Sequence, residues 1–501
     1  MTLLGIDVGT THLKAGVFEE DGRVLSLASR PTRTRLAPAG YAYYDPQELW
    51  ETVTEVIRTA LAVGPAPVAA VGVASMAESG LLVDRHTGGA RSAFLPWFDQ
   101  AAAPHAGQLS RHGAALERFS RTGIRPSFKC SLAKLLWLRE QGVTLGPDVV
   151  WLSAADYVAY RLSGGLQTDY SLAGRTYAFR IDKKDWDAGW LDEWGLSPGL
   201  FPPARPAGEP VGGVRPELRS ALRLLPGTPV AVTGHDHICA AFAVGAVDPG
   251  QVFDSLGTAE SLAGALDERR LGEKEFKSGL SYGCHVAHGR MYWLSGLSAA
   301  GGSIEWLRGV LGDSPLTYEG LEDLLQHASP EPSGILYFPY LAGSGSPHSD
   351  PAVRGAFIGL SAIHGRADLL KAVLEGTAYE IETGRRAAEQ AAGLEIRQVI
   401  AAGGGVRNQY WLQIKADVSG CRYAALAMPE ATLLGAALVA GAGCGVYAGQ
   451  AQALAAAHPL ETETYLPDET RHTVYQRYFQ QGYLALQEPL RSYYTKSPEN
   501  T

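Results

Sequence analysis

Cysteine is scarce in this chain: five residues in 501, at positions 130, 239, 284, 421 and 444, with no C-x-x-C pair and no zinc-type spacing. That excludes a disulfide-stapled or zinc-built scaffold and fits reduced, mostly buried thiols in a cytosolic protein. Positive charge is in deficit too. Lys and Arg number 43 against 52 Asp and Glu, a net charge of −9. The balance argues against a broad nucleic-acid or anionic-membrane surface, while leaving room for a local basic pocket. No apolar run reaches the ~18 residues of a membrane span. The most apolar stretch, ATLLGAALVAGAGC at 431–444, suits a buried helix. The first residues hold neither a basic segment nor a cleavage site, so no signal peptide is read there.

What is present reads as a large soluble α/β protein. At 501 residues, with 46% hydrophobic and 19% charged residues, the chain predicts two or three globular domains. Residues 3–8 and 14–19 are apolar runs around a turn, and Asp21-Gly22 marks a second turn, a hairpin start to a sheet. The stretch QVFDSLGTAESLAGA at 251–265 repeats the pattern, so DVGT at 7–10 is echoed by DSLGT at 254–258. Two such units predict two related halves, with a junction at the turn VDPGQ, 247–251. Helices are expected at 46–64, 130–142, 365–393 and 469–490, with Asp368 in the first turn of the third and a frayed tail after 494.

The opening stretch gathers Asp7, Gly9, Thr10, Thr11 and Lys14. A glycine turn brings backbone N–H groups close to an anion, and two hydroxyls and an ammonium add donors. Asp7 repels a phosphate unless Mg²⁺ lies between them. Taken alone, the segment could equally be an ordinary hairpin, and the echo at Gly257-Thr258 shifts the weight toward a two-sided polyphosphate clamp. In AAGGGVRNQYW, the glycines 403–405 could lie flat against a planar ring, with Asn408 capping or hydrogen-bonding; a plain strand-to-helix turn is the alternative. Asp236 follows the strand 229–233 and opens a helix, a place suited both to a helix cap and to an α/β site. His235 and His237 flank it, weak evidence for metal. Glu78, at a strand end, could bond a polyol or be a solvated turn residue. Trp97 beside Asp99 suits a sugar or a packed loop.

The order D-x-G-T-T, S-x-K-x-x-W, G-x-D, D-S-L-G-T-x-E, A-G-G-G-x-x-N-x-x-W-x-Q and E-x-x-x-x-G-A-A resembles the FGGY carbohydrate kinases, from residue 3 to about 445. RGAFIGLSAIHGRADLLKAVLEG at 354–376 looks like the family's C-terminal signature, and Ser131, Lys134, Trp137, Glu140 and Gln141 match the N-terminal one. The resemblance implies an actin/hexokinase-like fold of two RNase H-like domains, 1–246 and 247–495, with a catalytic cleft between them. It implies transfer of a phosphoryl group from MgATP to a sugar or polyol hydroxyl, in the cytoplasm, by a homodimer. Asp236 is similar to the family's general base and Asp7 to the acid that holds Mg²⁺ through water. Thr10, Thr11 and Lys14 resemble the first phosphate loop, Gly257 and Thr258 the second; Gly301 and Glu305 fall at nucleotide contacts, Gly404 and Asn408 at the adenosine motif. The acceptor positions are Ala77, Glu78, Trp97, Lys129, Asp236 and His237. Members acting on glycerol carry Arg, Tyr and Gln where this chain has Ala77, Lys129 and His237, and members acting on D-xylulose carry Met-His at 77–78. The expected acceptor is therefore a ketose such as a pentulose or 6-deoxyhexulose, with a polyol or tetrulose as the alternative and a non-catalytic sugar or nucleotide sensor as the reading from another class. The usual G-E-R-x-P is replaced by GSGSP at 343–347.

Overall fold

A computed structural model describes residues 1–62, 67–312, 314–426, 428, 430–456 and 461–495. Strand β1 (Thr2–Val8) and strand β2 (His12–Glu19) form the expected antiparallel hairpin, and β3 (Val24–Pro31) follows a turn in which Gly22 takes a left-handed φ of 81°. The hairpin register sets Asp7 directly opposite Lys14. Helix α1 (Pro46–Ala60) starts where the Asp45 carboxylate accepts the N–H groups of residues 47 and 48, a side-chain cap followed by proline in the first turn. The expected end of this helix at Gly64, like the tail from 496 on, lies outside the described residues. Strand β4 (Val68–Ser75) then runs parallel to β1. Helices α2 (Ser131–Glu140) and α3 (Ala154–Ser163) follow, and β5 (Pro229–His235) pairs parallel to β4. The first sheet reads Pro210–Gly213, β5, β4, β1, β2, β3.

The second half repeats this order. After α4 (Asp236–Ala243) come β6 (Gln251–Leu256), β7 (Glu260–Asp267) and β8 (Arg290–Leu297), all antiparallel neighbours. Helices α5 (Gly301–Val310) and α6 (Arg366–Ala392) lead to β9 (Gln398–Ala402), parallel to β6. Helix α7 (Gln409–Ser419) leads to β10 (Arg422–Leu426), parallel to β9, and α8 (Ala431–Gly443) follows. The second sheet reads Ser281–Cys284, β8, β7, β6, β9, β10, Glu461–Tyr465. Thus β3-β2-β1-β4-β5 in one sheet corresponds to β8-β7-β6-β9-β10 in the other, the repeat that the two Asp-Gly-Thr segments announce. Long α6 is held at its ends by Asp368, whose Oδ2 accepts the Gly365 N–H at 2.8 Å, and by Gly393 at φ 68°. The C-terminal helical run continues past the expected 490, as Glu469–Arg477, a π-helical turn Tyr478–Tyr483, and Leu484–Thr495.

One helix departs from a clean division into halves. The apolar α8, followed from the second half, packs on β1, β4 and α4 of the first. Glycines make this approach close. A Cβ on Gly5 would lie 2.0 Å from the Leu433 carbonyl oxygen, and one on Gly72 2.1 Å from that of Ala436. All five cysteines are free and four are buried. Among the described residues no helix is long and apolar enough to cross a membrane.

Candidate active site

Three parallel strands, β1, β4 and β5, end at the same edge, so Asp7 near the end of β1 and Asp236 just after β5 come together. Asp236 is the first residue of α4; it does not cap the helix, because His235 occupies that position. Its Oδ1 accepts the backbone N–H of His237 at 2.7 Å and lies 3.2 Å from His235 Nε2. Burial pushes His235 well below the usual histidine range, so this contact brings no positive charge to Asp236. Asp7 is 8% exposed and its Oδ1 has no hydrogen-bond partner. Burial raises the proton affinity of both carboxyls, and for Asp7 the repulsion from Asp236 adds to it, with Lys14 opposing. A divalent cation would reverse that repulsion. A buried, unpartnered carboxylate oxygen facing a second acid is a donor set that fits a hard cation such as Mg²⁺.

The first turn closes with the Gly9 N–H donating to the His12 carbonyl at 3.1 Å. Thr11 is exposed. Thr10 Oγ1 accepts the Trp97 indole N–H at 2.8 Å, which ties this turn to the loop that carries Trp97. The Lys14 ammonium is paired with Glu430, 2.8 Å away, at the start of α8. A phosphate would therefore share or displace Glu430. In the second half, Gly257 and Thr258 form the exposed tip between β6 and β7. Their carbonyls accept the N–H groups of Gly301 and Gly302 at 3.2 and 2.9 Å, so the start of α5 sits on this tip. A Cβ at Gly301 would come 2.5 Å from the Gly257 oxygen. Glu305 is exposed and bonded to Arg308 and Tyr318. Asn408 caps α7 through its Oδ1, 3.0 Å from the Trp411 N–H, and exposed Gly404 has open space where a Cβ would stand. The echo of Asp7 takes a different role. Asp254 is fully buried 3.5 Å from Lys415 Nζ, and Lys415 also bonds Glu260. The GSGSP segment packs on β8, where a Cβ at Gly345 would lie 1.8 Å from the Gly296 oxygen.

At the positions expected for the acceptor, Glu78 adopts a left-handed φ of 64°, a strained conformation for a non-glycine residue of the kind that clusters at functional sites. Its carboxylate pairs with Arg175 Nη2 at 2.6 Å, with side chains 10% and 11% exposed. Burial alone would raise the Glu78 pKa; Arg175, Lys129 and Lys134 outweigh it and hold the group ionised. Lys134 binds the Glu78 carbonyl and, at 2.8 Å, that of Pro96, so it knots the two loops together. Lys129 Nζ stands 4.9 Å from the centre of the Trp97 ring. Ala77 is buried, and Asp99 accepts the N–H groups of Ala101 in its own loop and of the distant Ala42. Arg175 is the residue sequence reasoning missed. A single arginine in the apolar run SLAGRTYAF was the available signal, since a buried guanidinium needs an acid.

A duplicated RNase H-like fold, with paired carboxylates at the carboxyl ends of parallel strands and glycine turns from both halves, defines an actin/hexokinase-like phosphotransferase. Family models described as the N-terminal and C-terminal domains of the FGGY family of carbohydrate kinases match residues 2–243 and 255–444, and the chain belongs to that family. It is a carbohydrate kinase. The chain is 28% identical to the xylulose kinase of Bacillus subtilis over 453 residues, 88% of either chain. It is 30% identical to the glycerol kinase of Gloeobacter violaceus over 485 residues, 95% of either chain. Among solved structures, the ligand-bound xylulose kinase of Lactobacillus acidophilus superposes with a TM-score of 0.90 at 20% identity, covering 99% of both chains. Plasmodium falciparum glycerol kinase with ADP gives 0.86 at 18% identity, covering 97% of this chain and 98% of that one. These two structural likenesses speak for the fold alone.

Proposed function

We propose that this kinase transfers the γ-phosphoryl group of MgATP to a hydroxyl of a ketose, a pentulose or a 6-deoxyhexulose, with Asp236 as general base. The observation that carries the reading is Asp236 itself: half-buried, poised at the shared strand edge beside Asp7, with its proton affinity raised above that of a free aspartate. Phosphoryl transfer asks the protein mainly for positioning and charge neutralisation. Asp236 accepts the proton of the attacking hydroxyl. Lys14, Thr10 and Thr11 on one side and Gly257 and Thr258 on the other bind the phosphates, with Gly301, Glu305, Gly404 and Asn408 toward the nucleoside. Mg²⁺ supplies charge neutralisation when bound, and Asp7 is the residue that would hold it through water. Glu78, Lys129, Trp97, Ala77 and His237 orient the acceptor. Closure of the halves, which we divide at 246/247, excludes water as a competing acceptor.

The ketose reading rests on Ala77, Lys129 and His237, which differ from the residues expected for glycerol. A polyol or tetrulose acceptor is the second reading. A cytoplasmic homodimer belongs to the same reading, by kinship with the family. The test is ADP release with MgATP across ketoses, aldoses and polyols, beside Asp236→Asn. Strong turnover with one sugar, reduced ~10²–10⁴-fold in the variant, is expected for loss of the base. Equal turnover by the variant would refute the assignment of Asp236, and a polyol as the best acceptor would refute the ketose.

A further inference from the structure

A cavity of about 610 Å³ lies away from every residue of the active site. Its walls come from both halves. The first half contributes residues 117–121 and 180–184, the second residues 268–271 with Cys284 and Met291. Its volume is that of a metabolite site, and its floor is apolar, made by Ile181, Leu271, Cys284 and Met291. The rim is charged, and more basic than the molecule around it. Five cations and three acids line it, a local excess of two positive charges in a chain of net −9.

The pairing within the rim leaves one guanidinium, that of Arg270, free for a ligand, with Arg269 beside it. Arg121 is paired with Glu117, Arg180 with Asp182 at 2.6 Å, and Lys184 with Glu268. That last pair joins the halves, from a backbone at Lys184 held in the left-handed region, φ 53°. Arg269 donates through Nη1 to the Ala392 carbonyl at 3.1 Å and lies 3.3 Å from Glu275, while its Nε is buried without an acceptor. The neighbouring Arg270 is exposed and has no hydrogen-bond or ion-pair partner among the described residues.

We infer that this cavity is an effector site for a compact organic anion, one with a short carbon body and a phosphate or carboxylate group held by Arg270 in the positive field of Arg269. The apolar floor takes the body and the exposed Arg270 guanidinium takes the charge, by the forked donor geometry that suits both anions, with the positive charge of Arg269 adding to it. Because the walls belong to different halves, an occupant favours whichever arrangement of the halves fits it best. Its binding is therefore linked to acceptor affinity, and the linkage is reciprocal.

Binding can be measured without turnover, which separates this inference from the assigned reaction. Calorimetry on the full chain with 3-phosphoglycerate, citrate and inorganic phosphate, against the neutral polyol ribitol, is the experiment. At least one anion should bind with a Kd below ~1 mM and ribitol should not. Arg270→Glu and Arg269→Gln should each weaken that binding tenfold or more, while Lys14→Met, in the phosphate turn, should leave it unchanged. Arg270 is exposed, so Arg270→Glu should keep the wild-type melting temperature and basal turnover. Binding by citrate alone would name carboxylates as the ligand chemistry, and binding by the two phosphates alone would name phosphate. The inference is overturned if no anion binds, or if binding survives both arginine substitutions and disappears with Lys14→Met.

Discussion

Replacing Arg175 by Met should damage both the stability of the first half and the acceptor site. The Glu78 carboxylate and the Arg175 guanidinium are in contact at 2.6 Å with about a tenth of each side chain exposed. Opposite charges whose centres lie ~4 Å apart attract by about 4 kcal/mol at an effective dielectric near 20. Removing one member of a buried pair strands the other charge and costs about 3–5 kcal/mol. Lys129 and Lys134 also act on Glu78, so Arg175→Met belongs at the lower end, about 3 kcal/mol. Glu78→Gln belongs nearer the upper end. It leaves a buried guanidinium whose Nε and Nη1 already lack acceptors. The double variant removes both charges, so its loss should fall short of the sum of the single losses by about 2 kcal/mol. Urea unfolding followed by tryptophan fluorescence would measure this in the transition that releases the first half. Sugar kinetics would show a raised acceptor KM in all three variants, with the ATP KM unchanged. A single-variant loss below about 1 kcal/mol, or strictly additive losses, would refute the argument that this pair is desolvated and mutually dependent.

The other predictions test separate parts of the molecule. Asp7→Asn should raise the melting temperature of the nucleotide-free, metal-free protein while abolishing turnover, because it removes a buried like charge from beside Asp236; a lower melting temperature would mean that the two acids do not repel. Asp156 is buried and its pKa is raised to about 7. A carboxyl raised in the folded state contributes most below its unfolded pKa and loses that contribution as pH rises through 7. Asp156→Asn should accordingly stabilise the protein clearly at pH 8 and much less at pH 5, and equal gains at both pH values would contradict the shift. Gly435 and Gly404 make a matched pair. A Cβ at Gly435 would stand 1.9 Å from the Cys239 carbonyl oxygen, a backbone atom that cannot swing aside, whereas at Gly404 it would meet nothing. Gly435→Ala should destabilise by at least ~1–3 kcal/mol and lower the soluble yield. Gly404→Ala should melt like wild type and raise the ATP KM, and an unchanged KM would remove Gly404 from the nucleotide site.

What the sequence could reveal follows from the range of the interactions involved. Hairpins, helix starts and the duplicated strand order depend on neighbours a few residues apart. Asp21-Gly22, the apolar spacing from residue 46 and the pair DVGT and DSLGT therefore predicted elements that the structure contains. The place of Asp236 was legible for the same reason, since strand 229–233 leads directly into its helix. Contacts between distant segments were not. Glu78 and Arg175 are 97 residues apart and Lys14 and Glu430 are 416 apart, and composition gives no sign of either pair. Asp254 shows how a true repeat can mislead at the level of a side chain. It holds the position in β6 that Asp7 holds in β1. Asp7, however, ends at the strand edge beside Asp236, while Asp254 is fully buried with Glu260 around the ammonium of Lys415 of α7. Duplication fixed the path of the backbone in both halves. The setting of each acid decides which of them is left free to act: the lysine opposite Asp7 is paired with Glu430, whereas Asp254 and Glu260 enclose Lys415 in the interior.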